Sequence, residues 1–128
     1  MAQSILVTGI KPTGTPHLGN YIGAIQPALQ LAQAAPHQAY YFIADYHALT
    51  FLQNAEAFRR LSYEVAATWL AMGLDPKRIV FYRQSDIPEV FELNWILACF
   101  TPKGLMNRAH AYKAVVQANL EAHGSEAD

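Results

Sequence analysis

Ile5-Leu6-Val7-Thr8-Gly9-Ile10-Lys11-Pro12-Thr13-Gly14-Thr15-Pro16-His17-Leu18-Gly19-Asn20 lies at the front of the 128-residue chain and decides its fold class. Ile5-Leu6-Val7 is a short apolar run ended by Gly9, which reads as a buried strand. Gly9, Pro12, Gly14 and Pro16 then fix an unusual backbone path, and His17 to Asn20 start a helix. That helix is expected from about Leu18 to Ala35, with Tyr21, Ile22, Ile25, Leu29 and Leu31 as its apolar positions. Pro27 should kink it or restart it as a first-turn proline.

The rest of the chain repeats the alternation. Tyr40-Tyr41-Phe42-Ile43-Ala44 is apolar on both faces, as a central parallel strand requires. Asn54 is the expected N-cap of a helix from about Ala55 to Met72. Phe58, Leu61, Val65, Trp69 and Met72 form its buried stripe, while Glu56, Arg60 and Glu64 lie four apart on a solvated face. Gly73 ends the helix, Asp75-Pro76 turns the chain, and Ile79-Val80-Phe81-Tyr82 is a third strand. Pro88 opens a helix reaching about Phe100, Pro102 breaks it, and a last helical piece runs from Gly104 to about Leu120. His123 to Asp128 read as a frayed or truncated tail. Helices of this length between strands imply βαβ crossovers, hence an α/β fold with a partial Rossmann-like parallel sheet flanked by helices.

Composition excludes several classes. The chain is 52% hydrophobic and 15% charged with a net charge of −1, so it carries no general field for nucleic acid, and RNA contact would need a local patch. The single cysteine, Cys99, rules out an internal disulfide, and its apolar neighbours Trp95 to Phe100 suggest a buried structural thiol. Trp69 and Trp95 both sit in apolar helix patterns and read as core. No spaced His/Cys set suggests zinc, and no apolar run reaches the ~18 residues of a membrane span. With no signal-peptide pattern at the start, the cytoplasm is the expected compartment.

The chemistry concentrates in the loop quoted first. The carboxyl end of a parallel strand beside a helix start is where nucleotides bind in this architecture. Lys11 offers a mobile positive charge, and Gly19 removes a side chain so that a flat base can lie against the backbone. The loop is neither a Walker A loop nor GxGxxG.

Gly9-Ile10-Lys11-Pro12-Thr13-Gly14 with His17-Leu18-Gly19-Asn20-Tyr21 resembles the HIGH signature region of class I aminoacyl-tRNA synthetases. Asn20 at its fourth position resembles the tryptophanyl branch more than the tyrosyl one. The likeness continues through Ala44-Asp45-Tyr46-His47-Ala48-Leu49-Thr50, Gly73-Leu74-Asp75-Pro76, Arg83-Gln84-Ser85-Asp86-Ile87-Pro88 and the segment from Lys103 to Lys113. The resemblance implies an HUP-type catalytic half over residues 1–101 and the start of a connective insertion over 102–128, within which the chain would end truncated. It implies that Lys11, Pro12, Thr13, His17, Gly19 and Asn20 bind ATP, with His17 and Asn20 acting on the phosphates. Val7, Gly9, Asp45 and His47 would belong to the tryptophan pocket, and Lys113 is a possible phosphate contact. Local backbone bonding is the competing account of Asp45 and His47, and Arg83-Gln84-Ser85 reads equally as loop scaffold or pocket wall.

The implied reaction joins tryptophan to ATP as tryptophanyl-adenylate and then charges tRNA(Trp), with Mg²⁺ held by phosphates and water rather than by protein ligands. A homodimer is implied too, to which Trp95, Leu97, Phe100 and Leu105 would contribute unless they are core. The family's lysine-rich KMSKS loop and its indole-reading acidic residue do not appear in this sequence. Two other readings stand beside this one: a non-catalytic nucleotide-binding or regulatory module, and an HxGH-type nucleotidyltransferase, against which Asn20 speaks.

Overall fold

The computed structural model describes residues 4–34 and 38–123. Its chain divides into two compact units, Met1–Ile87 and Pro88–Asp128. The expected helix end at Ala35 and residues 124–128 of the tail lie outside the described residues.

In the first unit, β1 (Ile5–Ile10), β2 (Gln38–Ile43) and β3 (Ile79–Arg83) form a parallel sheet in the order β1-β2-β3. The register pairs Val7 with Tyr40 and Gly9 with Phe42 on one side, and Tyr40 with Val80 and Phe42 with Tyr82 on the other. β2 is central, as its two-sided apolar sequence implied. Ala39, Tyr41 and Ile43 are its buried positions, packed with Ile25, Leu29, Val65 and Trp69. Burying side chains such as Ile25 and Val65 contributes about 1.5–3 kcal/mol each. The opposite face, carrying Val7 and Gly9, is exposed along β1.

β1 does not stop at Gly9. The missing side chain there admits the Phe42 ring, whose atoms would lie 2.6–2.8 Å from a Cβ. The first helical run is also more broken than its periodicity suggests. α1 (Leu18–Asn20) passes into a π-helical turn, Tyr21–Ile25, before α2 (Gln26–Ala34) begins. Pro27 in the first turn of α2 has no N–H to donate, and the wide turn precedes it, with Gln26 N–H bonded to the Tyr21 carbonyl. The extra residue rotates the apolar positions, so Ile25 and Leu29 are buried whereas Ile22 and Leu31 are exposed.

After β2 come α3 (Asp45–Ala48) and α4 (Ala55–Ala71). Asn54 caps α4, its Oδ1 accepting from Ala57 N–H at 2.8 Å. Leu61, Val65 and Trp69 are the buried face. Met72, expected to extend it, is exposed because α4 has already ended. Gly73, at φ 101°, closes a Schellman turn with Leu74 N–H bonded to the Trp69 carbonyl at 3.1 Å, and Leu74 takes the core place instead.

The second unit contains α5 (Glu89–Phe100), α6 (Lys103–Met106) and α7 (His110–His123). The single helix expected from Gly104 is thus two, divided at Asn107 and Arg108. Trp95 and Cys99, read from sequence as buried, are exposed. From Trp95 to Phe100 α5 is apolar on every side, and a helix of that kind cannot bury every side against one neighbour. Among the described residues no helix is long and apolar enough to cross a membrane.

Candidate functional site

The loop after β1 and the start of α1 enclose a hollow of about 260 Å³, lined by Lys11, Thr13, Thr15, His17 and Asn20 among others. His17 and Asn20 build its helical edge. His17 Nδ1 accepts from Gly19 N–H at 3.1 Å, and Asn20 Oδ1 accepts from His17 N–H at 3.0 Å, a reciprocal capping box. Gly19 is needed for this cap, since a Cβ there would stand 2.9 Å from His17 Cε1. Glycine at position 19 thus makes room for the imidazole.

The cap decides what both side chains can still offer. With Nδ1 accepting, the proton of the neutral His17 ring sits on Nε2, which is left as a donor. Asn20 uses its carbonyl oxygen and keeps both amide hydrogens. Both remaining functions are donors, and Lys11 beside them is a cation, a set whose chemistry suits an anion. Lys11 itself lies 5.8 Å from the centroid of the exposed Phe51 ring.

Pro12 is fully buried, so its part is to fix the path of the loop. Thr13 is exposed beside the hollow. Thr15 Oγ1 donates to Glu64 Oε2 on α4 at 3.0 Å, and Glu64 Oε1 accepts from Arg60 at 2.7 Å. The expected Arg60–Glu64 pair is present, but Glu64 is more than part of a solvated face. Sequence reading missed the contact with Thr15; the only signal was Glu64 standing next to Val65 of the buried stripe.

At the carboxyl ends of β2 and β3, Asp45 is 2% exposed. Its Oδ1 accepts the N–H groups of Tyr46 and Ser85, each at 3.0 Å, and its Oδ2 accepts the Ser85 hydroxyl at 2.5 Å. His47 is exposed, with Nδ1 2.9 Å from Gln84 Oε1; facing that acceptor, Nδ1 carries a proton, so in the neutral tautomer Nε2 is the acceptor. Arg83 and Asp86 pair at 2.6 Å. The hydrogen bonds from Arg83 hold the Asp86 carboxyl below the usual range, and the same contact raises Arg83. Val7 and Gly9 lie on the exposed face of β1, where Gly9 is roofed by Phe42, itself stacked on Tyr82 at 5.6 Å. Lys113 is exposed on α7, in the second unit. A larger cleft of about 830 Å³, lined by Asp45, Phe58, Arg59, Tyr63, Phe81 and Arg83 among others, shares no residue with the hollow at Lys11.

This strand, loop and capped helix occur within a known pattern. Residues 1–126 match the family described as tRNA synthetases class I (W and Y), and the chain belongs to that family. Within it, the relatives are tryptophan–tRNA ligases, the branch that Asn20 implied. The enzyme of Neisseria meningitidis is 59% identical over 121 residues, covering 94% of this chain and 36% of that protein. The enzyme of Bordetella pertussis is 59% identical over 123 residues, covering 96% and 27%. Among solved structures, the tryptophanyl-tRNA synthetase of Campylobacter jejuni superposes with a TM-score of 0.81 at 42% identity, over 99% of this chain and 38% of that one. The same organism's enzyme complexed with ADP and tryptophan gives 0.79 at 45% identity, over 89% and 35%. The chain therefore spans about a third of the length of these relatives.

Proposed function

We propose that this chain supplies the ATP-side portion of the catalytic domain of a tryptophan–tRNA ligase, with residues 1–101 as the first catalytic half and 102–128 as the start of the connective insertion. The observation that carries the reading is the donor set of the hollow: Lys11, the His17 Nε2–H and the Asn20 amide, at the carboxyl end of a parallel strand. All three suit phosphoryl oxygens. Catalysis then consists of positioning and charge stabilisation while the tryptophan carboxylate attacks the α-phosphorus and pyrophosphate leaves. The donors fit anionic phosphate rather than a bare cation, so Mg²⁺ would come bound to the nucleotide's own oxygens.

Tryptophan would lie along the exposed face at Val7 and Gly9, beside His47, while Asp45 shapes that rim from within. The activated amino acid would pass to tRNA(Trp). Exposed Trp95, Leu97, Phe100 and Leu105 support a homodimeric assembly through the second unit. The complex of the Campylobacter jejuni relative with ADP and tryptophan supports both substrates.

The test is an ATP titration of ¹⁵N-labelled chain. Expected are saturable shifts confined to residues 11–20, reduced at least tenfold in affinity by His17→Ala, the order of one lost phosphate-stabilising donor. Shifts confined to the larger cleft around Phe58 and Arg59 would overturn the reading.

A further inference from the structure

The loop from Lys11 to Pro16 must present its groups to a ligand, yet it has little to hold it in place. Pro12 is buried and anchors the loop's beginning, and the capping box fixes its end at His17. Between them, Thr13, Gly14 and Thr15 are exposed, and a Cβ on Gly14 would meet nothing within 4 Å. Among the described residues, the one side-chain hydrogen bond from this middle portion to another element runs from Thr15 to Glu64.

Glu64 is well placed to serve as an anchor. It sits on α4, the longest helix of the first unit, next to Val65, which is 1% exposed and also lines the hollow. Its two carboxylate oxygens are divided, one to Thr15 and one to Arg60. The Arg60 contact lies one helical turn back, so it holds the carboxylate in the rotamer that reaches the loop. The side chain of Glu64 is 31% exposed, compared with 61% for Arg60. The exposed ion pair adds little stability by itself. Its geometric effect is larger, because a carboxylate already oriented loses less freedom when it accepts the threonine hydroxyl.

We infer that Glu64 is a positioning residue for the nucleotide loop, acting through Thr15 to hold Gly14 and Thr15 in the conformation that closes one side of the hollow. The inference rests on the proposed ATP site and extends it to a residue on α4 outside the lining of the hollow.

Two readouts on the chain separate this role from the site itself. In the absence of nucleotide, ¹⁵N order parameters of Gly14 and Thr15 are expected near the rigid value of about 0.85, and Glu64→Ala and Thr15→Ala each lower them below about 0.6. Thr15→Ser, which restores the hydroxyl, returns them to the wild-type level. In ATP titrations, the two alanine variants weaken affinity by about three- to tenfold, as one lost exposed hydrogen bond would. Together they weaken it no further than either alone. Thr15→Val, which keeps the side chain's shape and loses only the hydroxyl, is expected to lower both signals as Thr15→Ala does, which covers the case of an alanine variant that does not fold. Unchanged order parameters in Thr15→Ala overturn the inference whether or not ATP binds. If the loop loosens but nucleotide affinity holds, the tether exists without positioning function, and the inference is equally overturned. Wild-type chain that takes no ATP at the hollow refutes the proposed site, while the order parameters still decide whether Glu64 holds the loop.

Discussion

The Asp45 carboxylate binds Ser85 twice, through its hydroxyl at 2.5 Å and its backbone N–H at 3.0 Å, and so joins the carboxyl ends of β2 and β3 across forty residues of sequence. Adjacent strands in a parallel sheet leave these ends unpaired where the ladder stops, and a buried carboxylate is a strong acceptor for the N–H groups found there. The same junction sets Gln84 opposite His47.

Ser85→Ala should therefore destabilise the first unit by ~1–3 kcal/mol, the cost of leaving a buried carboxylate short of a donor. Asp45→Ala should cost more, since it also releases the N–H groups of Tyr46 and Ser85. Urea unfolding of both single variants and the double variant measures the coupling. Strictly additive losses would refute a shared interaction.

Gly9→Ala places a methyl group 2.6 Å from the Phe42 ring and should cost ~1–3 kcal/mol through overpacking. Phe42→Leu in the same chain should recover part of that loss by vacating the space. A Gly9→Ala chain as stable as wild type would mean that the ring swings aside freely.

Much of this was legible in the residues. Strands and helices, the central place of β2, the Asn54 cap and the Gly73 stop all follow from local preferences and periodicity. What sequence reading missed depends on pairs far apart in the chain. Nothing local to Glu64 indicates Thr15, and nothing at Gly9 indicates a ring from β2. The π turn before Pro27 was hidden because a proline shows that a helix must yield without showing how. Trp95 and Cys99 have the apolar neighbours of core residues and are nevertheless exposed, because burial also needs a surface to pack against. At the candidate site the residue types were legible and their hydrogen-bonding states were not, because those depend on which partner each side chain has already taken.

The Arg83–Asp86 pair gives a pH signature. Hydrogen bonds from the Arg83 side chain, and then from its backbone N–H, lower the Asp86 carboxyl relative to its unfolded value. A depressed carboxylate stabilises the fold above its unfolded pKa, and that stabilisation fades as pH falls through the folded value. The turn Gln84–Asp86 should thus remain ordered through the ordinary carboxylate range and loosen only in stronger acid. Carbon-13 titration of the Asp86 carboxyl checks this. Arg83→Ala removes the first cause and leaves the backbone bond, so the midpoint should move back toward the ordinary value without fully reaching it. An ordinary midpoint in the unmutated chain would remove the pair's influence.

The sharpest prediction concerns the two site histidines, which the structure sets in opposite tautomers. His17 accepts at Nδ1 from Gly19 N–H, so its neutral ring must carry hydrogen on Nε2. His47 faces the Gln84 carbonyl oxygen with Nδ1, so its neutral ring must carry hydrogen there and accept at Nε2. The difference matters chemically. A ring at the proposed phosphate site should donate, because phosphoryl oxygens accept; a ring at the proposed amino-acid rim can accept from an ammonium group. Long-range ¹H–¹⁵N spectra at a pH where both rings are neutral distinguish the forms directly. His17 should show the Nε2–H pattern and His47 the Nδ1–H pattern. Gln84→Ala should return His47 to the mixture of a free imidazole while leaving His17 unchanged. Asn20→Ala, which breaks the reciprocal cap, should loosen His17 and leave His47 alone. If His17 instead carried its proton on Nδ1, the cap to Gly19 could not exist, Nε2 would repel a phosphoryl oxygen, and the proposed anion site would lose one of its three donors.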